Sequence, residues 1–379
     1  MKIEQVAFRG RNWTSPLPVH LDSPETLVLA FFSPDQFEKD FWSELKSRFP
    51  RSRFFGATGG GTIFGKDILD SAVSLTVVRF DRTRLESGSV ALLDHSDDFE
   101  AGKALAGSIP ASGLKACYLL SDGSRVNGSA LVAGLRSVLG AEVDVSGGLA
   151  GGMPDARATL VLENGFPSEG RATILGFYGN RVSVVSSLKC GWKPFGPKRT
   201  VTRSVRNVVH TIDGKPILGI YRDFLGDAAD RLPGAGLFFP LFISGTGQGR
   251  GMIRTVLGIN ELDQSMTFAG EIPEGAIVQF ARSSHESLIS AAEEAAGEVT
   301  GKLRPSMELL GIVATCSGRR MILGEKTDQE IEEILNLLPH GATQTGFYSN
   351  GEFGVRAPGQ IELHNQSIVV TLIQEWEID

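Results

Sequence analysis

Nothing in the 379-residue sequence is long and apolar enough to cross a membrane as a helix: the longest apolar run, residues 237–243, falls far short of a span of about 20 residues. The start, Met1-Lys2-Ile3-Glu4-Gln5, has no apolar stretch behind a basic end, so no signal peptide is expected. Positive charge is also short. The net charge of −7 argues against a general nucleic-acid partner and against attraction to anionic membrane surfaces. Cysteine is scarce, with only Cys117, Cys190 and Cys316. An odd number of widely spaced cysteines suits free thiols in a reducing cytoplasm. The six histidines and three cysteines are isolated, with no CxxC or HxxxH spacing, so no metal is expected.

Glycine is plentiful instead. Forty-six of 379 residues are glycine, against a usual share of about 7%. The glycines recur in an internal repeat. An apolar run over 27–32 ends at Ser33-Pro34-Asp35-Gln36, which reads as a capping box with proline at the first helical position. Phe37, Phe41, Trp42, Leu45 and Phe49 follow at helical spacing, then a glycine-rich segment over 53–61 and a β-rich run over 72–80. The same order returns from Lys115, with a strand ending at Ser121, a helix carrying Leu131, Leu135, Val138 and Leu139, the string 146–152, and strands over 159–162 and 172–178. It returns again with a strand over 310–315, a helix opened by Thr327-Asp328-Gln329-Glu330, the string 346–352 and a strand over 367–373.

Between the second and third copies the pattern is mostly β. Residues 201–212 alternate up to a turn at Asp213-Gly214, a short helix is expected over 216–225, and strands over 252–259, 265–272 and 276–282. Ser283-Ser284 should start a helix running to Val299. Strand–helix–strand–strand units beside hairpins predict a mixed α+β fold of the α/β kind, with mixed sheets and helices packed on them. The break between two related regions is expected near residues 213–216, giving regions 1–213 and 214–379.

Six segments in this order resemble the FIST family of intracellular signal-transduction sensors: GATGGGTIFG at 56–65, SGGLAGG at 146–152, GWKPFGPKRTVT at 191–202, Cys316-Ser317-Gly318-Arg319, GFYSNGE at 346–352 and LHNQ at 363–366. The resemblance covers nearly the whole chain. It implies a cytoplasmic input module that binds a small ligand such as an amino acid and is not an enzyme. The sequence ends at Asp379 without an output domain, so the signal is expected to pass to a separate partner such as a kinase or cyclase. Some relatives are described as haem-based nitric oxide sensors, which makes haem the alternative to a cofactor-free protein. The histidine neighbourhoods, such as Asp94-His95-Ser96 and Ser284-His285-Glu286, are polar and do not suggest a haem pocket.

Individual motifs carry competing readings. The glycine strings could be backbone anion nests or places where repeats pack without room for a β-carbon. Residues 244–251, SGTGQGRG, lack the third glycine of a dinucleotide loop and precede a strand, so a hairpin loop is expected. No acidic residue occurs over 170–212, where eight basic ones do; this is either an anionic docking face or a solvated strand face. Cys316 ends a strand at a point that Ser33 and Ser121 share in the other copies. It could line a ligand site, sit inert in the core, or act as a nucleophile with His364 as its base, the thiol-dependent hydrolase alternative. The favoured site gathers Cys316, Arg319, Tyr348, Asn350, Glu352 and His364 around a zwitterion. Arg319 would take the carboxylate, Glu352 the ammonium, and the neutral groups would orient the ligand. The competing reading pairs Arg319 with Glu352.

Overall fold

The computed structural model describes residues 1–36, 38–152, 158–244, 251–304, 308–357 and 359–376. Three of its four sheets share one strand order. From one edge, the first runs Phe166–Ser168, Val161–Glu163, Arg53–Thr58, Thr26–Phe32, Val73–Arg79 and Lys2–Arg9, extended by Asn12–Trp13. The second runs Gln360–His364, Gly351–Ala357, Asp144–Leu149, Leu114–Ser121, Arg171–Tyr178 and Arg84–Ala91. The third runs Asp67–Leu69, Thr62–Phe64, Thr343–Ser349, Leu310–Cys316, Ile368–Glu375 and Val182–Lys189. Each centre is a parallel pair joined through helical segments, with an antiparallel strand on its far side.

The outer hairpin of each sheet comes from a different repeat. The first repeat gives its hairpin to the third sheet, the second to the first, and the third to the second. The exchange is cyclic, so no repeat can be removed without opening an edge. The backbone closes the same ring at the centre. Gly60 N donates to Tyr348 O at 2.8 Å, Gly151 N to Thr58 O at 2.8 Å, and Asn350 N to Leu149 O at 3.2 Å. These are equivalent positions in the three copies.

The register explains the recurring glycines. Gly56 lies opposite Ala30, Gly147 opposite Leu119 and Gly346 opposite Val313. A β-carbon at these glycines would stand 1.8, 1.9 and 2.0 Å from those residues' carbonyl oxygens. The strings exist because strands approach too closely for a side chain, and several of their N–H groups are used in the ring instead of forming an open anion nest. The same register aligns Cys316 with Ser33 and Asp122, so the expected equivalence with Ser121 is off by one residue.

Alternation along the central strands divides the cores. Leu27, Leu29 and Phe31 point inward with Leu310, Ile312, Ala314 and Phe347 into one core shared by all three sheets, where the Phe31 and Phe347 rings stack at 4.7 Å. Val28, Ala30 and Phe32 face the opposite way against Trp42 and Leu45 of the helix Lys39–Arg48. Each fully buried aromatic or aliphatic side chain contributes about 1.5–3 kcal/mol. With both faces covered, these strands can be apolar throughout, which is why they read as continuous runs.

Residues 193–282 form a separate lobe inserted into the third repeat, between its edge strand Val182–Lys189 and its central strand Leu310–Cys316. Its sheet pairs Lys193–Val205 with Ile277–Arg282 and with Val208–Ile212. Its own core gathers Tyr221, Phe268 and Phe280. The position 213/214 lies inside this lobe, in the turn between Val208–Ile212 and Lys215–Pro216.

Some local expectations differ. Residues 201–212 are two strands, broken where Arg206 takes a positive φ of 54°. Proline after Ser33 starts only the 3-10 turn Pro34–Gln36, and the helix proper begins at Lys39; Phe37 lies outside the described residues. The helix Thr327–Leu337 has no side-chain cap, because the Thr327 hydroxyl donates to the carbonyls of Gly324 and Arg320 in the preceding helical turns. That run begins with a helix not foreseen, Ser317–Leu323. Ser284 does cap the helix His285–Thr300, through a reciprocal bond with Ser287. The basic stretch is divided between the body and the lobe, with Arg171, Lys189 and Arg199 paired to Glu163, Glu298 and Asp213. Residues 245–250, most of the expected hairpin loop, lie outside the described residues.

Candidate ligand cleft

The parallel pairs Leu114–Ser121/Asp144–Leu149 and Leu310–Cys316/Thr343–Ser349 end on one side of the body. Clefts in α/β sheets form at such carboxyl ends. Here they open on a cleft of about 1220 Å³, bounded by loops of all three repeats and roofed by the inserted lobe through Leu237, Thr255, Val256 and Phe268. Body and lobe also touch directly. Arg254 donates to Leu363 O at 3.0 Å, Asn127 Nδ2 to Glu271 at 2.9 Å, and Gln366 Nε2 to Leu237 O at 3.4 Å.

One wall is a turn built around buried Asp122. Its carboxylate accepts from Ser124 N, Ser124 Oγ, Thr159 Oγ1 and Gly170 N at 2.7–2.9 Å. Burial raises its pKa, but these hydrogen bonds outweigh it and leave the group below the usual carboxylate range. The turn leads into the helix Gly128–Val138, capped by Asn127.

The floor follows the third repeat. The chain turns from strand to helix at Cys316-Ser317-Gly318 beneath the side chain of Gln366, which holds a φ of 56°. A β-carbon at position 318 would lie 2.5 Å from Gln366 Nε2, so any larger residue there would have to displace the Gln366 amide. Four polar groups facing the cleft have no partner within the chain among the described residues: both amide atoms of Asn365, Gln366 Oε1, Ser317 Oγ and, across the cleft, Thr255 Oγ1. Asn365 is only 2% exposed and Gln366 fully buried. Buried polar atoms are paired in most proteins, and an unpaired one costs about 1–3 kcal/mol. At the mouth, Arg320 pairs with Asp70 at 2.8 Å, which raises the arginine's pKa and lowers the aspartate's.

Of the six residues expected to gather around a ligand, Cys316 and Asn350 line this cleft. Arg319 is fully buried behind it. Its guanidinium binds Glu330 at 2.5 and 2.9 Å, and donates to Cys190 O and Leu288 O at 2.7 and 2.8 Å, leaving no fork for a carboxylate. Its partner is Glu330, not Glu352. Glu352 is also enclosed: Ser349 Oγ lies 2.5 Å from one carboxyl oxygen, and Ser367 N and Oγ reach the other at 3.2 and 2.7 Å. Burial pushes its pKa up to about 8, so it is a poor site for an ammonium group. Tyr348 is buried with its ring 5.4 Å from the Arg320 guanidinium, and burial holds its hydroxyl well above its usual pKa. His364 lies opposite Glu352 in the hairpin Gly351–Ala357/Gln360–His364, away from the cleft lining.

Burial first, then the Glu352 carboxyl, push the Cys316 thiol up to about 12, the opposite of what a nucleophilic thiolate needs. No cluster of three potential metal ligands occurs among the described residues. The cleft is large enough for haem, but no histidine lines it among the described residues, and the protonated Cys316 is a poor thiolate ligand. A histidine-ligated haem does not fit here.

Asn365, Gln366, Ser317 and Thr255 were not singled out from sequence as ligand contacts. The only signal was the polar cluster His364-Asn365-Gln366 inside a β segment, where the histidine drew attention. No curated protein matches the chain. Residues 26–215 match the FIST N domain and residues 218–355 the FIST C domain, together most of the chain, which therefore belongs to the FIST family of signal-transduction sensor domains.

Proposed function

We propose that this protein is a cytoplasmic sensor that binds a small polar metabolite in the cleft between the three-repeat body and the inserted lobe. Amino acids are among the candidates, and occupancy is passed to a separate signalling protein such as a kinase or cyclase. The observation that carries this reading is the set of buried polar groups, unpartnered among the described residues, that line both walls of the cleft, with Asn365 and Gln366 on the body and Thr255 on the lobe. A ligand satisfying both walls would fix the lobe against the body. Binding would then favour one relative position of the two, which is the physical content of a sensory input. The family membership supports the same role, and catalysis is not part of the proposal.

Thermal-shift measurements with the proteinogenic amino acids and the nucleobases, followed by calorimetric titration of every hit, test the reading. A ligand whose affinity falls at least tenfold in Asn365→Leu supports it. Binding that survives both Asn365→Leu and Leu237→Trp, which fills the cleft from the roof, would move the site elsewhere.

A further inference from the structure

From the floor of this cleft we infer, resting on the cleft reading above, that the end of the ligand held by the body is a neutral amide edge, a hydrogen-bond donor beside an acceptor, and not a carboxylate or an ammonium group. Asn365 carries the argument. The residue is only 2% exposed, and neither its amide oxygen nor its amide nitrogen has a partner among the described residues. A primary amide presents one acceptor and two donors on the same edge, so the matching ligand group offers a donor and an acceptor side by side. Carboxamides, lactams and the lactam edge of a nucleobase all have that pattern. A carboxylate has acceptors only and would oppose the Asn365 oxygen; an ammonium has donors only and would oppose its nitrogen.

The neighbouring groups are neutral as well. Gln366 Oε1 adds an acceptor, while Ser317 Oγ and Thr255 Oγ1 can turn either way. The arginines that could have held a ligand carboxylate are committed elsewhere. Arg319 is bound to Glu330, Arg320 to Asp70, and Arg125 to Glu169 at 2.9 Å. The Cys316 thiol beside this floor is uncharged. A site built to pair with an amide rejects the isosteric acid strongly, because its own buried polar atoms are then left unpaired.

Two matched pairs test the inference on the full chain by calorimetric titration: nicotinamide against nicotinate, and L-glutamine against L-glutamate. The amide of at least one pair should bind at least tenfold more tightly than its acid. Asn365→Asp, which keeps the shape but removes the donors, should abolish that preference while the circular dichroism spectrum stays unchanged. Leu237→Trp should weaken both members of the pair. Tighter binding of the acids, or no binding of either amide at millimolar concentration, overturns the amide inference. Acid binding that Leu237→Trp still blocks would leave the cleft reading standing. Binding indifferent to Leu237→Trp would remove the cleft reading along with it.

Discussion

Glu352 should make the protein less stable as pH rises through the neutral range, and replacing it with glutamine should remove that dependence. The proton count at Ser349 gives the first reason. Its hydroxyl has one hydrogen and faces two acceptors, the Thr315 carbonyl oxygen at 3.1 Å and Glu352 Oε1 at 2.5 Å. Both contacts are satisfied together only if Glu352 carries a proton and donates it to Ser349. The second reason is that the carboxyl is fully buried, which pushes its pKa from 4.5 to about 8 against the opposing pull of its serine hydrogen bonds and the Arg319 charge. The charged and titratable groups around it are Arg319, Cys316 and, across the hairpin, His364.

The folded state therefore holds a proton that the unfolded chain releases near pH 4.5. The stabilisation is complete below that value, declines at about 1.4 kcal/mol per pH unit, and is lost as pH passes about 8, a total of roughly 5 kcal/mol. Glu352→Gln keeps the donor to Ser349 and the acceptor for Ser367 without a titrating proton. Urea denaturation of both proteins between pH 5 and pH 8.5 isolates the effect, because every other group cancels in the difference. The variant should match wild type near pH 5 and exceed it by several kcal/mol at pH 8.5. Parallel stability curves would show that Glu352 is ionised in the folded state and would refute the reasoning.

Asn365→Leu should raise the stability of the ligand-free protein by about 1–3 kcal/mol, since it removes two unpaired buried polar atoms; chemical denaturation checks it, and a loss would mean the amide is already satisfied. Arg319→Ala should cost about 3–5 kcal/mol by stranding the Glu330 charge, yet leave the ligand affinity of the folded variant unchanged in calorimetry. Gly147→Ala, which would drive a β-carbon to 1.9 Å from Leu119 O, should destabilise by about 3 kcal/mol or more, whereas Gly297→Ala on the open face of the helix His285–Thr300 should stabilise by about 0.5–1 kcal/mol; thermal melts compare the two. Cys316 should react with iodoacetamide at pH 7.5 on the order of a thousandfold more slowly than a free model thiol, and faster labelling would reopen the nucleophile reading.

The threefold repetition was legible because it is written in local patterns: an apolar run, a helical period and a glycine at a fixed distance. The exchange of hairpins was not. Thr62–Phe64 pairs with Thr343–Ser349 about 280 residues away, and alternation within a three-residue strand does not reveal its partner. The ends of the lobe were hidden for a similar reason: the turn at Asp213-Gly214 is a strong local signal and lies beside the changeover between the two family matches, at 215 and 218, but within the lobe it joins two strands of one sheet.

The site illustrates the same limit at the scale of single residues. Membership of one strand–helix–strand–strand unit suggested that Arg319 and Glu352 face a ligand or each other. The unforeseen helix Ser317–Leu323 turns Arg319 away from the cleft and toward Glu330, on the face of the helix Thr327–Leu337 packed behind it. The polar string His364-Asn365-Gln366 was visible, but the strand ends at His364 and the chain reverses through the positive φ of Gln366. Beyond that point the two-residue alternation no longer says which side chain faces the sheet and which the cleft. Histidine, with its familiar chemistry, attracted the assignment, while the structure gives the cleft to the two amides beside it. What betrays those amides is an imbalance of donors and acceptors, and that can be counted only once the folded chain has shown which polar groups were left without partners.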